Sequence, residues 1–476
     1  MLHMLATGRP RSVLLEGSGK WALQACGVAV AVWAGFALSL DTYQRLLAAL
    51  VIAAVGAGAV IVQLKNGLLG LAALVFTAVA FPMEFGDASR APLNSSLPLA
   101  AFIIIVWVLD VVAFQRGARL DSPRVVFPMV AFMAIAVVSF VTGQFPWATS
   151  NGAPIGAQLA GLALLLASAG LFLAVGRQLD TETRLARLMW VFIGAGTITC
   201  ITQTLPGLGI VGRWVAPDSV GSLFWTWMVA MCFSQAAGNR RLSPLLRLFL
   251  FCITAMALYR GLFQARSWVS GWLPPLIAFG VVLLFRLPRV TVSLALFGGP
   301  IGLISGGQFF HSVADTEQYS TMTRLEAWKT LWPLVKRSPL VGLGPSNYYQ
   351  QALDAPILGW YVSFSSHNQY MDLVAQTGFL GLAAFAWFVF EIARIALRLH
   401  TRLTAGFAKS YVTGALAGMA GTLVAGMLAD WIIPFYYNIG VRGFRSSLLF
   451  WVFLGGILVL NRIHSQAAAS GAGARI

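Results

Sequence analysis

Apolar runs of membrane-spanning length repeat along almost the whole chain. A helix that crosses the hydrocarbon core of a bilayer needs about 20 predominantly apolar residues. Fourteen stretches come close to this length, at 21–40, 44–64, 66–83, 96–115, 125–142, 156–176, 188–204, 219–237, 247–262, 267–285, 290–307, 377–397, 410–430 and 446–461. Lipid offers no partners to backbone polar groups, so such stretches fold as helices. The sequence therefore predicts an all-α polytopic membrane protein with twelve to fourteen transmembrane helices.

The composition supports a membrane protein and argues against two other classes. Hydrophobic residues make up 58% of the 476 residues and charged residues only 10%, whereas soluble domains carry about 25% charged residues. The net charge of +16 does not indicate a nucleic-acid partner, because membrane proteins collect Lys and Arg in their cytoplasmic loops. Cys26, Cys200, Cys232 and Cys252 all lie in apolar runs, which predicts neither a disulfide framework nor a cysteine metal site.

The positions of Lys and Arg orient the predicted spans. With the N-terminus placed inside, most of the 32 Lys and Arg residues fall on the inner side, as the positive-inside rule requires. This orientation puts both termini in the cytoplasm and one long loop on the outer, periplasmic side. We expect four segments: eleven spans within 1–307, the large outer loop 308–376, three spans within 377–465 and a disordered tail, 466–476.

The outer loop is predicted to contain two helix starts. Thr323 to Glu326 reads Thr-Arg-Leu-Glu, which fits a capping box, and the apolar residues after it recur at helical spacing until Pro339. A second possible capping box, Ser-His-Asn-Gln, ends at Gln369 and opens a helix that continues to Gly378. His367 then lies in the first turn of this second helix.

His367 is the first candidate for chemistry in the outer loop. On residue type alone, a hydrogen-bonded structural histidine is the more frequent case. The alternative is a general base, because a helix N-terminus disfavours the imidazolium and leaves the ring neutral. A neutral histidine can take a proton from a sugar hydroxyl. Asn368, the next residue, is a candidate substrate ligand.

Four arginines on the outer side are candidates for binding an anion. Arg324 lies in the outer loop, and Arg266 lies where a span begins at the outer face. A guanidinium stays charged and binds phosphate oxygens in pairs, so two arginines can hold a diphosphate without a metal. The alternative for Arg266 is an interfacial arginine that only anchors its helix. Arg213 and Arg260 are weaker candidates on the same side.

Asp430 ends a predicted span at the outer face, and an ionisable residue there is costly and often functional. It can orient His367 or an arginine, or simply end its helix, and the sequence leaves these alternatives open. The outer loops contain no Asp-x-Asp pair, no His-x-x-x-His motif and no phosphate-binding glycine loop. We therefore predict neither a metal nor a cofactor.

Three blocks of residues, in this order, resemble the O-antigen ligase and O-antigen polymerase superfamily of bacterial membrane glycosyltransferases. The first is Ala-Arg-Ser at Arg266, where the family more often has Ser-Arg. The second is Arg324-x-x-x-Trp328 followed by Ser-Pro-Leu-Val-Gly-Leu-Gly, which ends at Gly344. The third is Ser-His-Asn-Gln-Tyr around His367, followed by Gly-Phe-Leu-Gly from Gly378. The last two blocks are the more specific, and they cover only 305–385.

The resemblance implies an architecture similar to the C-type glycosyltransferases, with the active site in the large periplasmic loop of a bacterial inner-membrane protein. It implies metal-independent transfer, with inversion of the anomeric centre, from a glycan donor linked to polyprenyl (undecaprenyl) diphosphate. Carried over residue by residue, His367 matches the catalytic histidine of the family. Arg324 and Arg266 match its arginines that engage the diphosphate.

Two functions share this donor and this chemistry. A ligase moves a finished glycan to lipid A–core in lipopolysaccharide biosynthesis, and a polymerase joins lipid-linked repeat units of an O-antigen or exopolysaccharide. The motifs favour the ligase slightly but do not separate the two acceptors. A transporter is a third, less favoured hypothesis, because transporters place internal repeats and polar residues at the bilayer midplane, whereas here the polar residues gather in one outer loop.

Overall fold

Almost all regular secondary structure in the computed structural model is helical. The structure describes residues 58–80, 84–85, 93–113, 122–145, 152–208, 220–294, 307–350 and 356–473, together with the single residues 56, 212 and 296. The prediction of an all-α polytopic membrane protein is confirmed. The described strands are a two-residue antiparallel pair, β1 (Glu84–Phe85) and β2 (Leu93–Asn94).

Ten of the helices that the structure describes precede the predicted outer loop. Several of them begin at or after a proline or after a capping residue, as helices commonly do. They are α1 (Gly58–Lys65), α2 (Gly67–Ala80), α3 (Ser96–Ala113), α4 (Pro123–Thr142), α5 (Ile155–Gln178), α6 (Glu182–Thr204), α7 (Gly221–Gly238), α8 (Pro244–Tyr259), α9 (Val269–Arg286) and α10 (Pro288–Ser293). A single π-helical turn, Arg260–Gln264, continues α8. A short 3₁₀ turn, Pro206–Leu208, follows α6.

Four long helices make up the rest of the described chain. They are α11 (Gly307–Arg337), α12 (Gln369–Arg402), α13 (Phe407–Leu428) and α14 (Phe444–Gly473). The described residues between α11 and α12, 338–350 and 356–368, are non-helical. Helix α12 is interrupted at Gly378, whose φ of 67° is not helical. A second non-helical segment, between α13 and α14, ends in the 3₁₀ turn Val441–Gly443.

Eight of the described helices are long and apolar enough to cross a membrane, and a ninth span results if the bent pair α1 and α2 counts as one. These two helices meet at 107°. The predicted spans 96–115 and 219–237 form the helices α3 and α7, which do not meet the same test of length and hydropathy. The predicted spans 21–40, most of 44–64 and most of 290–307 lie outside the described residues.

Two helices form the centre of the bundle. All but one residue of α7 is buried, and the membrane-spanning window of α14 is buried throughout. Helices that are apolar on every side belong in such positions. Aromatic rings fill the space between them, since Trp227 stacks on Phe453 with centroids 5.1 Å apart. Glycines of α13 allow close packing on α7, because a Cβ at Gly418 would lie 2.5 Å from the Trp227 ring.

The outer loop differs from its prediction in where its helix begins. We predicted a start at Thr323, but α11 begins at Gly307, sixteen residues earlier. No Gly or Pro interrupts the chain between Gly307 and Pro333, so the helix can extend through the local capping pattern. Residues 466–473, which the sequence predicted to be a disordered tail, continue α14 to Gly473. Alanine has the highest helix propensity, and Ala467 to Ala469 follow directly from a long helix.

Candidate active site

The segment that follows α11 docks on the break in α12. The backbone N–H of Leu343 donates to the carbonyl of Ala375 at 2.8 Å, and that of Phe379 donates to Pro339 at 2.8 Å. These bonds run on both sides of Gly378, where the helix opens. Backbone groups that the break in the helix would leave without partners therefore bond to the docked segment instead.

The docked segment explains why glycine occupies two positions in the second and third blocks of the resemblance. Gly342 and Gly378 have φ values of 74° and 67°, which glycine adopts without strain. A Cβ at Gly342 would lie 2.4 Å from the carbonyl carbon of Gln376, and one at Gly378 would lie 2.1 Å from the carbonyl oxygen of Leu340. The glycine-containing ends of the two motifs therefore contact each other, and their role is structural.

The turn that precedes α12 carries His367. His367 has a φ of 48°, a left-handed conformation that is uncommon for residues other than glycine. Its N–H donates to Oγ of Ser365 at 3.1 Å, and Nε1 of Trp328 donates to the carbonyl of Ser366 at 2.8 Å. A conformation of this kind costs about 1–3 kcal/mol and persists only where the surroundings determine it. The hydrogen bond from Trp328 also ties the turn to α11.

Asn368, rather than Ser366, caps α12. Its Oδ1 accepts hydrogen bonds from the N–H groups of Tyr370 at 3.0 Å and Met371 at 3.2 Å, and its Nδ2 donates to the carbonyl of Met427 at 3.2 Å. His367 consequently lies just before the helix instead of in its first turn, which corrects the sequence prediction. The amide of Asn368 is engaged at both ends, in capping and in joining α12 to α13.

A buried polar cluster contacts the turn of His367 through Ser366. Oδ1 of Asp372 accepts hydrogen bonds from the Tyr348 hydroxyl and from Oγ of Ser366, the second at 2.6 Å. The N–H of Ser366 donates to the Tyr348 oxygen at 3.1 Å. All three residues are buried, and burial raises the pKa of Tyr348, so the phenol stays protonated. Sequence reasoning missed this cluster, because Tyr348 and Asp372 match no motif.

Asp430, Asn438 and His367 form a continuous row of hydrogen bonds. Nδ2 of Asn438 donates to Oδ1 of Asp430 and lies 3.3 Å from Nδ1 of His367. Oδ2 of Asp430 accepts from the N–H of Phe435 at 2.6 Å. The structure thus brings Asp430 to His367, as one of the sequence alternatives proposed, but through Asn438 and not directly. Nothing in the sequence singled out Asn438.

The environment of the row favours a neutral histidine. Burial lowers the pKa of His367, and the nearby positive charge of Arg324 lowers it further. Burial raises the pKa of Asp430 to about 6, although hydrogen bonds from Phe435 and Asn438 oppose the shift. Near neutral pH, the row therefore contains a neutral imidazole, which Asn438 connects to the carboxyl group of Asp430.

Arg324 approaches the row from α11. It lies one helical turn before Trp328, and residues four apart occupy the same helix face. Trp328 contacts the turn of His367, and the charge of Arg324 acts on the same imidazole. Two of the residues predicted from the sequence, Arg324 and His367, are therefore close enough for the charge of one to act on the other.

The other predicted arginines are placed differently. Arg266 is exposed in the turn between the π-helical turn and α9, and its carbonyl accepts a hydrogen bond from Nε1 of Trp272 at 3.0 Å. The same turn reaches the Asp430 loop through Trp268, whose ring lies 6.0 Å from that of Trp431. Arg213 lies outside the described residues.

A cavity of about 80 Å³ adjoins this turn. Its lining includes residues Gln203, Trp225, Arg260 and Trp268. Arg260, a weaker candidate in the sequence, is therefore one of the residues that line this cavity. Trp268 also contacts Trp431, so the cavity lies next to the loop that carries Asp430.

Among the side chains that the structure describes, no group of three or more His, Cys, Asp or Glu could hold a metal ion. The polar groups around His367 are instead a carboxylate, an amide and a guanidinium. This set can move a proton at the imidazole and can stabilise negative charge at Arg324.

Comparison with known proteins identifies the same part of the chain. Residues 227–386 match the family model described as O-antigen ligase. The match begins in α7 and ends in α12, so it includes Arg266, Arg324 and His367. A search of curated proteins found no match to the sequence.

Proposed function

We propose, from the match of residues 227–386 to the O-antigen ligase family model and from the geometry of the site, that this membrane protein is an inverting, metal-independent glycosyltransferase. Its donor is a glycan on a polyprenyl diphosphate carrier such as undecaprenyl diphosphate. Its acceptor is a hydroxyl of lipid A–core. The observation that carries the proposal is the row Asp430–Asn438–His367 with Arg324 beside it.

In this mechanism His367 takes the proton of the acceptor hydroxyl on Nε2. Nδ1 must then carry a proton and donate it to an oxygen. In the structure Nδ2 of Asn438 faces Nδ1 of His367, so the proposed mechanism requires the Asn438 side chain to turn its Oδ1 toward Nδ1. The ionised carboxylate then stabilises, through the amide, the imidazolium that forms.

The acceptor oxygen bonds to the anomeric carbon of the donor as the bond from that carbon to the diphosphate oxygen breaks. Attack from the opposite face inverts the anomeric centre. Negative charge develops on the departing diphosphate, and a fixed guanidinium such as Arg324 stabilises it. Polyprenyl diphosphate leaves, and the proton of the acceptor remains on His367. Arg266 is proposed to bind the same diphosphate from the opposite side.

Charge at the two ends of the bundle supports the proposed orientation. Arg394, Arg398 and Arg402 lie near the end of α12 that is remote from His367. Under the positive-inside rule, that end faces the cytoplasm. The proposed active site then faces the periplasm of a bacterial inner membrane.

A transfer assay with purified protein tests the proposal. The donor is a synthetic undecaprenyl-diphosphate glycan, lipid A–core is the acceptor, and EDTA is present throughout. We expect glycan to appear on the core. A ladder on the polyprenyl lipid without core product would assign a polymerase instead. No transfer in EDTA, with activity restored by a divalent metal, would overturn the metal-independent mechanism.

The pH dependence of the transfer rate tests the electrostatic argument. The base must be neutral, so activity is present above the pKa of His367 and is lost as the pH falls through it. Since that pKa is lowered from 6.5, we expect the acid limb of kcat/KM to lie below pH 6.5. Arg324→Gln removes the neighbouring charge, so the imidazolium becomes easier to form and the limb moves to higher pH.

Arg324→Lys is the matched control for this shift, because it keeps the positive charge but loses the planar guanidinium. Its acid limb is expected to stay close to that of the unmodified protein even if its rate falls. An acid limb that does not move in Arg324→Gln would show that Arg324 does not act on the catalytic imidazole.

A further inference from the structure

A cleft lined by arginines opens at the end of the bundle remote from His367. Its volume is about 250 Å³, and Arg124, Arg394, Arg398 and Arg402 line it. Arg124 comes from the start of α4, and the other three come from the end of α12. These two helices pack against each other over much of their length. The cleft lies within neither the proposed active site nor its substrate path.

The charges in the cleft are not balanced by the described acidic residues. Arg394 pairs with Glu391, with Nε 3.0 Å from the carboxylate. Arg124, Arg398 and Arg402 form no ion pair with any residue that the structure describes. Arg394, Arg398 and Arg402 follow one another at four-residue spacing, an arrangement in which like charges destabilise a helix. An anion in the cleft would relieve this repulsion.

The start of α4 adds to the positive potential. Ser122 precedes the helix but does not cap it with its side chain, because its Oγ accepts a hydrogen bond from Nδ2 of Asn461 at 2.9 Å. The first helical residue, Pro123, has no N–H. The partial positive charge of the helix N-terminus therefore faces the same cleft as the arginines.

Both helices expose apolar side chains close in sequence to the arginines of the cleft. Phe127, one turn from Arg124, is 65% exposed, and Val130 is 50% exposed. Leu397, next to Arg398, is 46% exposed. In a membrane-spanning bundle such side chains face the acyl chains of lipids. The cleft thus combines a basic pocket with an adjoining lipid-facing surface, which is the arrangement that binds anionic lipid head groups.

We propose that this cleft binds an anionic phospholipid, with the lipid phosphate between Arg124, Arg398 and Arg402 and an acyl chain along Phe127 and Leu397. The inference goes beyond the proposed glycosyltransferase function and does not depend on it. It predicts that the full-length protein retains such a lipid on extraction from the membrane. It also predicts a preference for phosphatidylglycerol over zwitterionic phosphatidylcholine, since only the first carries a net negative charge.

Native mass spectrometry of the detergent-solubilised protein, titrated with each lipid, tests this proposal. In the double variant Arg124→Gln/Arg402→Gln, we expect phosphatidylglycerol binding to weaken by about thirtyfold, which corresponds to about 1 kcal/mol for each arginine. Arg187→Gln is the matched control, because Arg187 is an exposed arginine outside the cleft. Size-exclusion chromatography establishes that each variant is folded and monodisperse.

Each other outcome overturns the proposal. Equal weakening in Arg187→Gln would show binding to general surface charge. Equal binding of phosphatidylcholine would show that the head-group charge is not recognised. Inorganic phosphate at millimolar concentration provides the last comparison. If it displaced the lipid completely, and if the protein bound all lipid types with equal affinity, the cleft would be assigned to free phosphate.

Discussion

Replacement of His367 by alanine is expected to lower the rate of glycan transfer by about 10²–10⁴-fold, the usual contribution of a general base. The imidazole is the titratable group of the row on which the charge of Arg324 acts. The measurement is the initial rate of transfer from the lipid-linked donor with saturating acceptor. Because the substitution removes no buried apolar contact of the bundle, the apparent Tm should change little.

Two further variants separate the loss of a base from a disturbance of the turn. His367→Asn keeps a residue that tolerates the left-handed backbone at φ 48°, and it should be as inactive as His367→Ala. His400→Ala removes a histidine at the remote end of α12 and should leave the transfer rate close to that of the unmodified protein. Transfer at the unmodified rate in His367→Asn would mean that another group takes the proton.

Replacement of Gly378 by alanine is expected to destabilise the fold by about 3 kcal/mol or more. Two effects add here, a strained backbone at φ 67° and a Cβ that would lie 2.1 Å from the carbonyl oxygen of Leu340. The docked segment cannot move away without breaking its hydrogen bonds to α12. The measurement is the apparent Tm in detergent, together with the yield of monodisperse protein.

Gly280→Ala is the matched control for this effect. Gly280 lies inside α9 with no atom within 4 Å of the position of a Cβ, so alanine there should be neutral or slightly stabilising, in line with helix propensity. The opposite order, with Gly378→Ala the more stable variant, would contradict the docking of the segment after α11 on the break in α12. Loss of transfer activity in Gly378→Ala is expected to follow from the same collapse, because the docked segment leads into the turn of His367.

Local patterns in the sequence predicted those features that depend on neighbouring residues. Apolar runs of about 20 residues predicted the membrane class and most of the described helices. A helix start within Ser366–Gln369 was also predicted, because capping residues mark it locally. The structure begins this helix after His367 and interrupts it at Gly378, where the prediction ended it. The helix start at Thr323 was wrong, since a capping pattern only permits a start, and nothing before it stopped the longer helix α11.

In the candidate site, too, some residues were predicted from the sequence and others were found only in the structure. His367, Arg324 and Asp430 were singled out by residue type and predicted side of the membrane, and the structure brings these three into one neighbourhood. Asn438 was missed, although it connects two of them, because an asparagine in a loop carries no signal of its own. The buried support of Tyr348 and Asp372 was missed for the same reason.

The sequence by itself determined that this chain is a helical membrane protein, and it predicted that most candidate groups for chemistry lie in one polar loop. Hydrophobicity and residue type are properties of the chain itself, and they do not depend on tertiary contacts. Only the tertiary structure decided that Asn438 joins Asp430 to His367, because Asn438 and His367 are 71 residues apart in sequence. Only the tertiary structure decided that arginines of two helices meet in one cleft. Hydrogen bonds fall off within a few ångströms, so their partners are determined by how the helices pack and not by the order of residues along the chain.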